Sequence, residues 1–447
     1  MGSSRTWLQS ILGRSKEKTL STSESISTTV GQSLLIKEFP AEPVDSLMPD
    51  NHQRALILNG VKQPYETIEK HPVPQIESSR EILVRNTVIG LNPIDWKAPD
   101  FNFGIPTLPY ISGRELAGIL VTTPFSKKSR VAKGDRVLVI STDYRDLRKG
   151  AYQQYVIAND FNTARLPPSI SSETGAALGV AFVAAALSIG VCAGLDFSLI
   201  SNGPDLLKLV RGIPETRLPD DIRNECLNGI DPAERLQQGD WLAVWGGSST
   251  SAYIICQLAR LAGVQTISVL DCKKHGFAQH SASDFPRADV LIDSHNAERA
   301  VDVVRSVAGQ KLRFAVDTVG RQTASHLLRC LGPEPIEKSI SPTPPSTPRR
   351  SSTSDEPQQH HLVGLTGLPK GTPPAGYSFH TVPIKLFHEI PEVGEALMVW
   401  LERLLAEGLL APPPILAVEH GFESVNAALD RMRRGEISGG RVVVRVD

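Results

Sequence analysis

The run Ala243-Val244-Trp245-Gly246-Gly247-Ser248-Ser249-Thr250-Ser251-Ala252 joins an apolar strand, Trp241 to Trp245, to small residues. A helical pattern follows, with Ile254, Ile255, Leu258, Leu261 and Ala262 on one face. Strand, small-residue turn and helix N-terminus make a seat for a dinucleotide pyrophosphate. Small residues admit the backbone to the phosphates, and the helix end offers N–H donors and a positive dipole. The usual three-glycine spacing is degraded, because Gly246, Ser249 and Ala252 hold the three positions. Gly246, Gly247, Ser248, Ser249 and Thr250 are the candidate phosphate contacts. The next strand ends at Val269-Leu270-Asp271-Cys272-Lys273-Lys274. Asp271 there would bind ribose hydroxyls and repel a 2′-phosphate, whereas Lys273, Lys274 and His275 could hold one if Asp271 turns away. Asp317, Val319 and Gly320 close a later strand, and Leu365, Thr366 and Gly367 another; both sets read as cofactor contacts or as ordinary strand-end turns.

These residues need a scaffold, and the chain supplies two textures. From residue 54 to about 165 it is β-rich, with strands at 54–59, 81–88, 119–122, 136–140 and 152–157. Between 241 and about 385 strand and helix alternate, with strands at 241–245, 266–270, 289–292, 313–317, 361–366 and 378–384. Such alternation implies a doubly wound parallel sheet whose ligand lies at the carboxyl ends of its strands. An Ala-rich helix over 172–190 links the two textures; another helix covers 391–408, and a strand runs from Arg441 to Val446. The expected organisation is a disordered extension (1–50), a β-barrel domain (51–178), a nucleotide-binding domain (179–387) and a C-terminal return to the barrel (388–447). Two segments interrupt the second domain: an irregular, proline-bearing insertion at 201–238 and a Pro/Ser-rich loop at 333–360.

A formal net charge of −1 excludes the basic surplus of a nucleic-acid binder, and no apolar run is long enough to span a bilayer. The five cysteines form no CxxC pair, which fits neither a disulfide framework nor a zinc knot and points to a reducing compartment. Cytoplasm is the expected location. Met1-Gly2-Ser3-Ser4-Arg5-Thr6 also fits an N-myristoylation pattern, and Trp7, Leu8, Ile11 and Leu12 with nearby basic residues could form a mitochondrial presequence. The histidines at 275, 280, 295, 360 and 361 read as surface residues.

Several further motifs carry a family resemblance. Leu91-Asn92-Pro93-Ile94-Asp95-Trp96-Lys97, Gly113-Arg114-Glu115-Leu116-Ala117-Gly118, Gly134-Asp135-Arg136-Val137 and the ending Ala428 to Val444 occur in order across nearly the whole chain. Together they resemble the medium-chain dehydrogenase/reductase superfamily, in its zinc-free quinone oxidoreductase and enoyl reductase branch. Fungal trans-acting enoyl reductases and ToxD-like reductases are nearest in texture. The resemblance implies an α/β protein with a GroES-like β-barrel catalytic domain packed on a Rossmann domain, and a reaction in the cleft between them.

It further implies NADPH or NADH as cofactor and an enone, a quinone or an enoyl thioester as substrate. A homodimer and a polyketide synthase are the possible protein partners. A non-catalytic nucleotide-binding member is the rival reading. Asn92 and Asp95 match positions at the nicotinamide end; Asn92 would donate to a substrate carbonyl while Asp95 orients Lys97, or both would simply fix a turn. Zinc-dependent relatives place a cysteine in the early segment and a histidine where this chain has Arg114. Arginine has no lone pair for a metal, so no metal ligands are expected. Arg114 and Glu115 would form a buried ion pair, or Arg114 would recognise an anionic group. Relatives' acid tyrosine is replaced at Asn102 and Phe103, and their hydroxyl residue at Val183 and Ala184, which leaves water, Tyr152 or Tyr155 as proton donor.

Overall fold

The computed structural model describes residues 50–122, 125, 129–141, 143–276, 288–332 and 358–446. The expected extension (1–50, apart from Asp50), most of the 333–360 loop and His280 lie outside them. Within the described residues no helix is long and apolar enough to cross a membrane.

The β-rich half is built on β1 (His52–Leu58), β2 (Tyr65–Pro72), β3 (Glu81–Gly90), β4 (Glu115–Leu120), β5 (Arg136–Ile140), β6 (Tyr155–Asn159) and β7 (Thr163–Arg165). β1 and β2 form an antiparallel pair. β3 is the hub of the larger sheet: it pairs with β4 and β6, and its register with β4 breaks between Asn86 and Val88. That break bends the strand so that both its ends find partners. Asn86 fills the gap, its Nδ2 donating to the carbonyls of Ala151 and Gln153 at 2.7 and 3.0 Å. Inward residues such as Ile82, Val84, Ile89, Leu116, Val137 and Tyr152 make one apolar core.

The second half holds β8 (Trp241–Trp245), β9 (Gln265–Leu270), β10 (Val290–Asp293), β11 (Leu312–Asp317), β12 (His360–Gly364) and β13 (Tyr377–Thr381). All six are parallel, in the order β10-β9-β8-β11-β12-β13. The order reverses at β8, so a crevice opens beside its carboxyl end. Along β8 burial does not alternate: Leu242, Ala243 and Val244 are all buried, because helices cover both faces of a parallel sheet. The chain then returns to the barrel through β14 (Ile415–His420) and β15 (Arg441–Arg445), and β15 pairs antiparallel with β3.

Three expectations change. The Ala-rich segment is not one helix but two, Ser172–Ala176 and Gly179–Leu187, followed by a wide turn at Ser188–Cys192. Residues 201–238 are not irregular: helices Leu206–Arg211 and Asp220–Asn228 bury Leu206, Leu207, Val210 and Cys226 in the same core as helix Gly179–Leu187. Asp205 caps the first of these and binds Arg235 at 2.7 Å, which closes the segment on itself. His360 and His361 are not surface residues, since β12 carries them inside. His361 Nδ1 lies 3.0 Å from His380 Nε2, and His380 Nδ1 lies 2.8 Å from Glu225 Oε1. Burial pushes His361 down to about 3, so this imidazole is neutral across the physiological range. Helix Pro391–Ala406 bridges the halves: Trp400 stacks on Phe197 at 4.5 Å in the nucleotide-side core, while Glu402 receives Arg130 and Arg165 from the barrel.

Candidate active site

β8 delivers the chain into the turn at Gly246, whose φ is +86°, a backbone state that glycine adopts freely. A Cβ on Gly247 would lie 1.8 Å from Ser268 Oγ on β9. The turn therefore packs directly on the neighbouring strand, and both glycine N–H groups donate to Val269 O at 3.0 Å. Ser249 caps helix Thr250–Leu261: its Oγ accepts from Ala252 N at 3.1 Å and contacts Thr318 Oγ1 at 2.9 Å. Ala252, in the third spaced position, is fully buried, so a small residue is required there whether or not it is glycine.

A cavity of about 450 Å³ opens at these strand ends. Gly246, Ser248, Asp271, Lys274 and Val319 all line it. Its size and place, at the switch point of the sheet, suit an extended dinucleotide. The missing Cβ atoms of Gly246 and Gly247 let the turn pack against Thr318 and Val319 on one side and Ser268 on the other, which fixes the backbone at the cavity edge. Asp317 sits behind the wall rather than in it; its Oδ1 accepts from Val319 N at 3.0 Å and Gly320 N at 2.6 Å and so shapes that loop. Leu365 N donates to Asp317 O at 2.9 Å, which brings the 365–367 turn alongside. Lys273 is exposed and lies outside the lining, as do Leu365, Thr366 and Gly367.

Sequence reasoning missed several wall residues. His326 stacks on Trp245 at 5.5 Å, and Ser294, Gln322 and Thr323 complete the rim. His275, expected at the surface, is buried on this wall; its Nε2 lies 2.9 Å from Ser438 Oγ in the C-terminal segment. Only the helical spacing of Gln322, Thr323 and His326 after a strand end could have signalled that group.

The barrel contributes a buried polar cluster. Asn92 precedes helix Pro93–Phe101, and Asp95 Oδ2 accepts its backbone N–H at 2.8 Å. Both amide hydrogens of Asn92 are engaged, with Glu115 Oε1 at 3.0 Å and Gly90 O at 3.3 Å, and its Oδ1 accepts from Arg441 at 3.0 Å. Asn92 therefore holds the strand ends together, and its amide is not free for a substrate carbonyl. Glu115 ion-pairs with Arg441, not with Arg114, and also accepts from Val180 N at 2.8 Å. The reason is geometric: neighbours along a strand point to opposite faces. Arg441 was visible as one charge opening a run of valines, yet nothing near it in sequence named its partner.

Asp95 does not orient Lys97. The Lys97 ammonium lies 5.6 Å from the centre of the Trp96 ring, away from the carboxyl. Burial raises Asp95 to about 6, and the Asn92 N–H and Arg114 only partly offset that. Its Oδ1 and the Tyr152 hydroxyl are both buried and interact with each other, with no well-formed hydrogen bond to any further group among the described residues. Arg114 stacks over Tyr144 at 5.6 Å. The Tyr144 loop is held by an Arg145–Glu389 ion pair of 2.8 Å to helix Lys385–Glu389, which follows β13. Arg114, a partly buried residue, thus stands where the barrel meets the parallel-sheet half. Tyr155 packs on the opposite side of β6, against Leu83, Val121 and Ile157.

Residues 78–168 match the family model of the alcohol dehydrogenase GroES-like domain. Among curated proteins, the chain is 25% identical over 409 residues to "Trans-enoyl reductase FSL5" of Gibberella zeae, covering 89% of this chain and 98% of that one. It is 24% identical over 403 residues to "Trans-enoyl reductase BOA5" of Botryotinia fuckeliana, covering 85% and 95%. Among solved structures, Escherichia coli quinone oxidoreductase complexed with NADPH superposes with a TM-score of 0.60 at 17% identity, over 88% of this chain and 99% of that one.

Proposed function

We propose that this chain, which resembles the medium-chain dehydrogenase/reductase superfamily, is an NAD(P)H-dependent, metal-independent reductase of activated C=C bonds or quinones. The observation that carries this reading is the cavity at the β8–β9–β11 strand ends, lined by Gly246 and Ser248 of the small-residue turn. When bound, the reduced nicotinamide supplies a hydride to the β-carbon of the activated double bond. The backbone of Gly246 to Thr250 holds the pyrophosphate, and the Asp317-shaped loop with the 365–367 turn closes over the nicotinamide half.

Arg114 takes the electrophile's part. Its guanidinium stabilises the negative charge that develops on the substrate oxygen, a task that zinc-dependent members give to a metal. Arginine cannot ligate a metal, and its permanent charge in a half-buried setting suits an enolate. Tyr152 is sealed inside the barrel and Tyr155 faces away, so water delivers the proton to the α-carbon. Lys97 stays outside this arrangement, on the Trp96 face. Relatives named trans-enoyl reductases, aligned over nearly their full length, support an enoyl group as the natural substrate; its presentation as a thioester by a polyketide synthase is the partnered form of this proposal.

Parallel titrations with NADPH and NADH test this, because Trp245 lines the cavity and its emission reports occupancy. Saturable binding followed by turnover of an enone, a quinone or a short enoyl thioester is expected. An Arg114→Gln protein should bind nucleotide normally and reduce enones about 100-fold more slowly. Failure of both nucleotides to bind at hundreds of micromolar would sink the reading. Binding without turnover of any of these substrates would leave a nucleotide-binding protein that is no reductase.

A further inference from the structure

Asp271 ends β9 at the rim of the cavity, where a strand of this kind meets the adenosine ribose. A lone carboxylate there binds the 2′-hydroxyl of NADH and repels the 2′-phosphate of NADPH. Asp271 is not alone. His295 Nε2 stands 3.6 Å from Asp271 Oδ2, and His295 Nδ1 lies 3.0 Å from Asp293 Oδ1 at the end of β10. Both carboxylates are fixed: Asp271 Oδ1 accepts from Lys274 N at 2.9 Å, and Asp293 Oδ1 accepts from Cys272 N at 3.1 Å. One imidazole therefore bridges two anchored strand-end carboxylates beside the wall that Lys274 and Ser294 help to form.

The other charges nearby are few. Asp293 and Asp271 favour the imidazolium and raise His295 above its ordinary value, while Lys273 opposes them weakly. Lys274 is exposed on the rim. His275 is pushed down by burial and by Lys274, and its Nε2 is tied to Ser438, so it adds no charge at neutral pH.

Resting on the reductase reading, we propose that His295 sets the choice between NADPH and NADH by acting as a pH-dependent counter-charge to Asp271. With the imidazolium in place, the Asp271 charge is offset and Lys274 is left to meet the 2′-phosphate. Once the ring is neutral, Asp271 acts alone, and the site turns toward NADH. The sign follows from the geometry: relative affinity for NADPH falls as pH rises through the histidine's range.

The test measures dissociation constants for both nucleotides by tryptophan emission from about pH 6 to about pH 8.5, a window that runs upward from the ordinary histidine range. Wild type, His295→Gln and Asp271→Asn are compared as full-length proteins. The 2′-phosphate has its own ionisation near pH ~6, and the His295→Gln protein retains that contribution alone. In wild type the NADPH-to-NADH affinity ratio should fall roughly five- to tenfold across the range, as one unit charge at short distance near a surface allows. His295→Gln should remove that fall and start from a ratio that already favours NADH; Asp271→Asn should raise the ratio at every pH. Both nucleotides binding with the same pH profile in wild type and His295→Gln would overturn the inference and leave the reductase reading standing. No binding of either nucleotide to wild type would overturn both.

Discussion

The barrel cluster and the nucleotide cavity use the same kinds of side chain to opposite ends. Around Asn92, Glu115 and Arg441 nearly every polar atom is matched, and the three residues are 4%, 1% and 6% exposed. Around Asp271, Lys274 and His295 the groups are partly or fully exposed at the rim of an open cavity. The first arrangement ties β3, β4 and β15 to the start of helix Gly179–Leu187; it positions rather than binds. The second can receive a ligand because its charges are not consumed by the fold. Among the described residues of the barrel, Asp95 Oδ1 and the Tyr152 hydroxyl are buried atoms that fall outside this matching, while Arg114 is partly exposed beside Tyr144.

The sharpest way to break the contrast is Arg441→Ala. It strands the Glu115 carboxylate and the Asn92 amide in the interior without their guanidinium, and losing one partner of a buried pair costs about 3–5 kcal/mol. Urea unfolding should show that loss, while a paired Arg441→Met/Glu115→Leu protein should lose less because no charge is left uncompensated. A single-variant loss no greater than the double's would mean that the cluster does not act as a unit. On the cavity side, Gly247→Val places a Cβ where only 1.8 Å separates it from Ser268 Oγ. Shifting the turn by about an ångström should weaken nucleotide binding about 100-fold, with a smaller change in the unfolding midpoint. Undiminished binding would show that the turn is not the pyrophosphate seat.

The two regions also differed in how far the sequence disclosed them. The parallel sheet was legible strand by strand, because buried strands are continuous apolar runs and the helices between them keep their own period. β2 (Tyr65–Pro72) was not, since its sequence Tyr-Glu-Thr-Ile-Glu-Lys-His-Pro buries little beyond Tyr65 and carries no clean alternation. Gly246, Ser248, Asp271, Lys274 and Val319 could be placed together because strand ends in this fold converge by topology. The Glu115–Arg441 pair spans 326 residues, and no local rule connects its members. The His361–His380–Glu225 chain stayed hidden for the same reason: it joins β12, β13 and a helix expected to be an irregular segment.

Asp95 offers the finest test of how closed the barrel cluster is. Burial lifts its folded value to about 6, above the ordinary 3.8, so the folded protein holds this proton more tightly than the unfolded chain does. Stability from this group is therefore fully present below the ordinary value. It declines as pH climbs from about 4 to about 6 and is level above that, with a total change of about 1–3 kcal/mol. Glu115 is raised by burial too and adds to the same slope, so the informative quantity is the difference between wild type and Asp95→Asn. Asparagine keeps an acceptor for the Asn92 N–H and removes the charge. Unfolding free energies at about pH 4.5 and about pH 7 should thus converge in Asp95→Asn relative to wild type. An unchanged difference would mean that the carboxyl is hydrated and ionised like a surface group. In that case the barrel cluster is as open as the cavity, and Arg114 would have lost the partly buried setting that makes its charge effective.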